Sequence, residues 1–152
     1  LMEPERFTRK ILRTRLFDQL ILRCRRTGVQ LVIVDTVSRT FGGRNFDELQ
    51  VTAFLDECLR LAELIRGTVL LTQHPSMAGR RSGTGESGTV QWEAGARSRL
   101  YVHKHQQLGL VLEGMKANYG QKAPPMQIEW RRGVFERVEA PAPRDYSEPY
   151  SG

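Results

Sequence analysis

Two short apolar runs set the strongest limit on what this chain can fold into. Leu31-Val32-Ile33-Val34 is rich in β-branched residues and ends at Asp35, and Thr68-Val69-Leu70-Leu71-Thr72 leads straight into Gln73-His74-Pro75. Neither run alternates with polar residues, which predicts parallel strands buried on both faces. Between them, within residues 46–66, Val51, Phe54, Leu55, Cys58, Leu61, Ala62 and Ile65 fall on one helical stripe. Asn45 and Glu48 have the spacing of a capping box, and Gly67 is placed to end the helix. Two strands joined by such a helix form a right-handed βαβ unit, whose strand ends open on one edge of the sheet. Asp35 and His74 are therefore expected side by side, on the edge where open α/β sheets bind ligands.

The flanking segments are simpler. From Phe7 to Arg26, Phe17, Leu20, Ile21 and Cys24 recur with helical spacing and Gly28 follows as a stop. The eight basic and three acidic side chains of the first 26 residues read as a solvated helix face. Residues 75–90 are rich in Gly and Ser and predict a long mobile loop beside the ligand edge. Beyond Trp92 come short β-like runs at Leu100–Val102, Leu110–Leu112, Met126–Trp130 and Val134–Val138, the last two hinged at Arg132-Gly133. Residues 1–139 are expected to be one domain, and 140–152, with Pro141, Pro143 and Pro149, a disordered tail.

With 23 Lys+Arg against 17 Asp+Glu the chain carries a formal charge of +6, which favours a polyanionic partner. The two cysteines, Cys24 and Cys58, lie in apolar helical stripes without metal-ligand spacing, and read as core residues of a reducing cytoplasm. No apolar run approaches the roughly 18 to 20 residues that span a bilayer, and the acidic start is unlike a signal peptide. A soluble, cytoplasmic protein is expected. Because Leu1 stands at position 1 and Met2 leads directly into structured sequence, an upstream portion is expected to be missing.

An apolar strand ending in an acid, as Val34-Asp35-Thr36 does, has the form of a Walker B motif, whose carboxylate holds Mg²⁺ and its water shell beside nucleotide phosphates. An Asp that merely ends a strand and starts a turn has the same appearance. Gln73 and His74 stand where they could touch a γ-phosphate, or simply cap the strand edge. Gly83-Thr84-Gly85-Glu86-Ser87-Gly88-Thr89 fits the first half of a P-loop but has Thr89 where the phosphate-binding Lys belongs. It also follows the wrong strand. No Gly-x4-Gly-Lys-Ser/Thr occurs elsewhere, and no strand ahead of Asp35 is suited to carry one.

Taken in order, the strand ending in Asp35, a helix, the strand ending in Gln73-His74-Pro75, a Gly/Ser loop, Trp92-x4-Arg97-Ser-Arg99-Leu-Tyr101 and Lys116-Ala-Asn118-Tyr-Gly120 resemble the RepA-like AAA-family ATPases. These are RecA-fold relatives that include plasmid replicative helicases, and the resemblance covers about residues 16–138. It implies the C-terminal part of an α/β, RecA-like three-layer core, with helices on both faces of parallel strands and antiparallel strands added at the C-terminus. ATP and Mg²⁺ are the implied cofactors. Asp35 would be the Walker B ligand of Mg²⁺, His74 with Gln73 the γ-phosphate sensor, and Arg97 the arginine finger supplied to a neighbouring subunit. Lys116 would lie near the same intersubunit site. Asn118 stands where a Lys-x-Arg pair would have its Arg, which leaves Arg97 as the preferred finger and Arg99 as a substitute. The loops after Asp35 and His74 would line the channel of a hexamer, with Arg39, Arg44, Arg80 and Arg81 following the backbone of single-stranded DNA. A RecA-like ATPase of recombination, repair or regulation that unwinds nothing, and an interaction subunit that does no chemistry, remain open alternatives.

Overall fold

A computed structural model of the chain describes residues 2–4 and 11–138, and the expected tail at 140–152 lies outside them. The chain divides into two compact units, one ending at Arg97 and the other beginning at Ser98.

The first unit opens with a short antiparallel pair, β1 (Met2–Pro4) and β2 (Ile11–Arg13). Helix α1 (Arg15–Thr27) follows; the Thr14 side chain accepts from the Phe17 backbone N–H at its start, and Gly28 closes it with φ 68°. Gly28 stops the helix as its sequence position suggests, but the helix begins at Arg15 rather than Phe7. Residues 11–13 are strand, and Phe7 lies outside the described residues. A strand at Ile11–Arg13 places Ile11 in the core, which a continuous helix from Phe7 does not require.

Strand β3 (Leu31–Val34) runs parallel to β4 (Thr68–Leu71) in the register Leu31–Thr68 to Val34–Leu71. The short helix α2 (Val37–Thr40) and the long helix α3 (Glu48–Ile65) connect them. The cap of α3 is Asp47, whose carboxylate accepts from the Gln50 N–H, and not Asn45; both are good cap residues, and the chain enters the helix two positions later. At the far end Arg66 adopts the left-handed conformation, φ 49°, and the Gly67 N–H reaches back to the Ala62 carbonyl. Gly67 serves a second need besides helix termination. A Cβ there would lie 2.0 Å from the Gln30 carbonyl oxygen, so only glycine lets the two strand entries approach so closely.

Packing falls into two clusters. Phe17, Ile21 and Cys24 of α1 meet Val32 and Val34 of β3 and Leu61 and Ile65 of α3. Ile11, Val37 and Phe41 meet Val51, Phe54, Leu55 and Cys58 of α3, with Trp92 packed on them. Both cysteines are buried thiols, as their stripes imply. Helices α1 and α3 thus cover the face of β3 that bears Val32 and Val34. On the other face Leu31 is 53% and Ile33 57% exposed, and Leu70 is exposed as well. The expected burial on both faces is therefore corrected: alternate residues are buried, because the described helices supply one layer.

Residues 75–90 form a loop, as expected, interrupted by one short helix and tied by local bonds. Helix α4 (Met77–Ser82) starts at Ser76, whose hydroxyl accepts from the Gly79 N–H, and its N–H and hydroxyl both donate to the Glu86 carbonyl. Gly79 lets the returning chain press close, since a Cβ would lie 2.2 Å from the Glu86 carbonyl oxygen. A short helix α5 (Gln91–Gly95) completes the unit.

The second unit is an antiparallel sheet of β5 (Ser98–His105), β6 (Gly109–Ala117), β7 (Met126–Arg131) and β8 (Val134–Arg137), in that order. β5 and β6 extend well beyond their apolar centres, and a register shift falls between Arg99 and Leu100. The β7–β8 turn is Arg132-Gly133, with φ 49° and 89°, the two left-handed residues a tight hairpin requires. The architecture is mixed α/β, a parallel pair and a separate antiparallel sheet rather than one sheet extended by its later strands, and it is compatible with a partial RecA-like core. No helix among the described residues is long and apolar enough to cross a membrane.

Candidate functional site

Parallel pairing in register makes β3 and β4 end together, and the backbone continues the match past the last strand residues. The Thr72 N–H donates to the Val34 carbonyl at 3.0 Å, and the Thr72 carbonyl accepts from the Val37 N–H at 2.9 Å. This brings the Thr72 hydroxyl to Asp35, where it donates to Oδ1 at 2.5 Å. The carboxylate is exposed yet fixed at one oxygen. Thr36 and Ser38 follow it with their hydroxyls 2.7 Å apart. The peptide bond between Asp35 and Thr36 is cis. Gln73 and His74 come immediately after the Thr72 tie and are exposed. The edge thus gathers Asp35, Gln73 and His74, as their strand-end positions predict.

The two loops leaving this edge are joined to each other. In the first, the Arg44 N–H donates to Oε1 of the buried Gln50 at 2.8 Å, and the Asp47 N–H donates to the Arg44 carbonyl. From the second, the Thr89 N–H donates to the Asn45 carbonyl at 3.1 Å. Gly88, with φ 81°, lies against the same carbonyl; a Cβ there would be 2.6 Å from the Asn45 oxygen and 2.8 Å from Trp92 Nε1. Trp92 stands edge-on to Phe41 and Phe54, with ring centroids 5.3 and 5.9 Å away. Its indole carries the second loop onto the core that holds the first.

Of the loop arginines, Arg39 lies in α2 and Arg44 in the turn before α3, while Arg80 and Arg81 occupy the last turn of α4. All four are exposed. Arg80 also reaches Met77 Sδ at 2.9 Å. Arg97 is exposed at the end of the first unit, one residue after α5 closes at Ala96. Lys116 belongs to the second unit, paired across β5 and β6 with Arg99.

Thr72 and the Asn45–Thr89 bond carry weight that reading along the sequence does not assign. Thr72 had a signal, a hydroxyl at the strand end level with Asp35. The bond between backbones leaves no trace in residue types.

An exposed carboxylate held from one side, with hydroxyls beside it, fits a hydrated Mg²⁺, a hard cation that prefers oxygen ligands and keeps part of its water shell. No cluster of three or more His, Cys, Asp or Glu suited to a metal occurs among the described residues, so Asp35 would act with water and phosphate oxygens. A phosphate cradle needs a run of free backbone N–H groups, and several of those in the Gly83–Thr89 segment are already committed. The N–H groups of Gly83, Gly85 and Thr89 donate to the carbonyls of Arg80, Gly79 and Asn45. Its glycines serve the backbone instead: Gly83 closes α4 in the left-handed conformation and Gly88 lets the chain press on the Asn45 carbonyl.

A family model described as AAA domain matches residues 2–80, which takes in β3, α3, β4 and the residues gathered at their ends. No curated protein and no solved structure gives a significant match. The matched span is more than half of the chain and contains the whole strand-end edge, so the chain belongs to the AAA domain family.

Proposed function

We propose that this segment is the C-terminal part of a RepA-type, RecA-like ATPase core that couples ATP hydrolysis to movement along single-stranded DNA, acting as a hexamer. The observation that carries the reading is the Asp35 carboxylate pinned by Thr72 at the edge that also presents Gln73 and His74. Bound Mg²⁺ would polarise the phosphoryl oxygens and balance the charge that develops on them. Asp35 would hold the ion's water shell. Gln73 and His74 would report the γ-phosphate to the chain that begins at Pro75, and the Asn45–Thr89 bond would pass that movement to the loop after Asp35. Arg39, Arg44, Arg80 and Arg81 would follow the phosphate backbone without reading bases. Arg97 would act on the nucleotide of a neighbouring subunit, with Lys116 near the same site.

The experiment uses the ATPase that carries this segment together with a P-loop. Arg97→Ala is expected to lower turnover by about 10³ to 10⁵, the range of a lost arginine finger, while ATP binding and assembly persist. Loss of an ordinary surface ion pair leaves turnover almost unchanged. Mixing Arg97→Ala subunits with Asp35→Asn subunits restores partial activity if the finger acts across the interface, because some interfaces then pair two intact residues. Mixed rings that stay inactive overturn the assignment in trans.

A further inference from the structure

The antiparallel sheet has two chemically different faces. Strand alternation and the observed register place Leu100, Val102 and Lys104 of β5 on the same face as Leu110 and Leu112 of β6. That face continues through Met126, Ile128 and Trp130 of β7 to Phe135 and Arg137 of β8. Every carboxylate between Ser98 and Val138, namely Glu113, Glu129 and Glu136, falls on the opposite face. There Glu113 meets His103 at 3.0 Å and Glu129 meets Arg131 at 2.7 Å. The first face therefore has cations and apolar groups and no acid.

Its layout is specific. Lys104, Leu110, Ile128 and Arg137 form one straight row of register partners across the four strands, with a cation at each end. Strand spacing puts the two ends about 14 Å apart. The neighbouring row on β7 and β8 is the cross-strand pair Trp130–Phe135, with ring centroids 4.8 Å apart and planes at 71°. Trp130 is 60% and Phe135 54% exposed, and Lys104 and Arg137 are exposed too. A purely apolar face would suit a second protein surface. An aromatic pair beside a row that ends in a cation on each side, with all acids on the reverse side, matches a ligand that is flat, apolar and anionic at once.

We infer that this face is a second binding surface for single-stranded DNA, in which bases stack on Trp130 and Phe135 while Lys104 and Arg137 neutralise flanking phosphates. Stacking on aromatic side chains tolerates any base, and the cations follow the backbone. The choice of DNA over RNA rests on the proposed DNA motor; the surface itself is independent of the ATPase edge and of the loop arginines.

The test is fluorescence anisotropy of labelled oligo-dT with the full 152-residue chain, over a salt series. Trp130→Ala and Phe135→Ala are each expected to weaken binding about tenfold or more, the usual loss for one stacked base, and Trp130→Tyr to restore most of it. Lys104→Gln and Arg137→Gln should each lower the salt slope by about 0.7, one phosphate contact on a single strand. Circular dichroism confirms that each variant is folded. Arg80→Ala with Arg81→Ala separates this surface from the channel loops. Loss there with no loss at Trp130 and Phe135 overturns the inference and leaves the motor reading intact, whereas loss only at the sheet supports the inference and removes the loops. Tighter binding of oligo-U than of oligo-dT overturns the choice of DNA, and no binding by the native chain overturns the inference while leaving the motor reading to the ATPase experiment. Sedimentation that shows a dimer dissociated by Trp130→Ala, with DNA affinity unchanged, makes the face a protein interface instead.

Discussion

The two units of the chain solve the same packing problem in opposite ways. Among the described residues, every buried apolar side chain except Val111 and Ile128 lies before Ser98. The first unit closes its residues into two clusters around α3, and its strand ends are fixed by what lies beneath them. The second unit is held by cross-strand pairing, and much of its apolar surface remains accessible. Position at the strand-end edge is thus inherited from a core, whereas the sheet offers surface. A truncation of the same size should therefore cost very different amounts in the two units.

The largest contrast is expected between two phenylalanines. Phe54 is 1% exposed and packs against Phe41 and Trp92, so Phe54→Ala should lose about 3 to 5 kcal/mol in urea unfolding. Phe135→Ala removes an exposed ring with one aromatic neighbour and should cost about 1 kcal/mol or less. Equal losses would show that the sheet is as deeply supported as the α3 core.

A pH series sharpens the comparison next. Burial, with a smaller contribution from the adjacent Glu57, pushes the Cys58 thiol up from 9.0 to about 12. The folded state then keeps a proton that the unfolded chain releases, so this contribution is full below pH 9 and is lost as pH rises toward 12. The slope should be about 1.4 kcal/mol per pH unit, reaching about 4 kcal/mol. Unfolding of the native chain and of Cys58→Ala, compared at each pH, isolates it. Parallel curves would mean that the thiol ionises as freely in the fold as outside it.

Two smaller effects probe how the first unit is closed at its ends. Gly67→Ala must displace the Gln30 carbonyl and should cost about 1 to 3 kcal/mol. Asp47→Ala removes the cap of α3 and should cost about 1 kcal/mol, while Asn45→Ala, which keeps the backbone carbonyl bonded to Thr89, should cost less. The reverse order would return the cap to Asn45. Thermal unfolding of the three variants decides it.

What the sequence made legible follows the range of the interactions involved. The runs ending at Asp35 and Thr72 and the α3 stripe were readable because burial repeats with the period of the element. The start of α1 was not, since Ile11 is apolar in a strand as it is in a helix. Burial on both faces was expected of β3 from composition alone, yet composition does not say how many helical layers are present. The ties within the Gly/Ser segment were not legible, since the bonds from Ser76 to Glu86 and from Thr89 to Asn45 rest largely on main-chain groups. At the edge, Asp35 and His74 could be placed from strand ends. Thr72 stood at a strand end in the sequence too, but that it orients Asp35 follows from the register of the parallel pair.

The contact between Gly88 and the Asn45 carbonyl has a mechanical consequence. Two loops that leave neighbouring strands would ordinarily have independent degrees of freedom, and each could fluctuate without the other. With the Thr89 N–H on that carbonyl, Gly88 against it and Trp92 seated on Phe41 and Phe54, they share one anchorage. Residues 75–90 and the chain from Asp35 to Asp47 are then geared together. A displacement at either strand end would be passed to the other, and a side chain added at Gly88 would push against the Asn45 carbonyl that joins them.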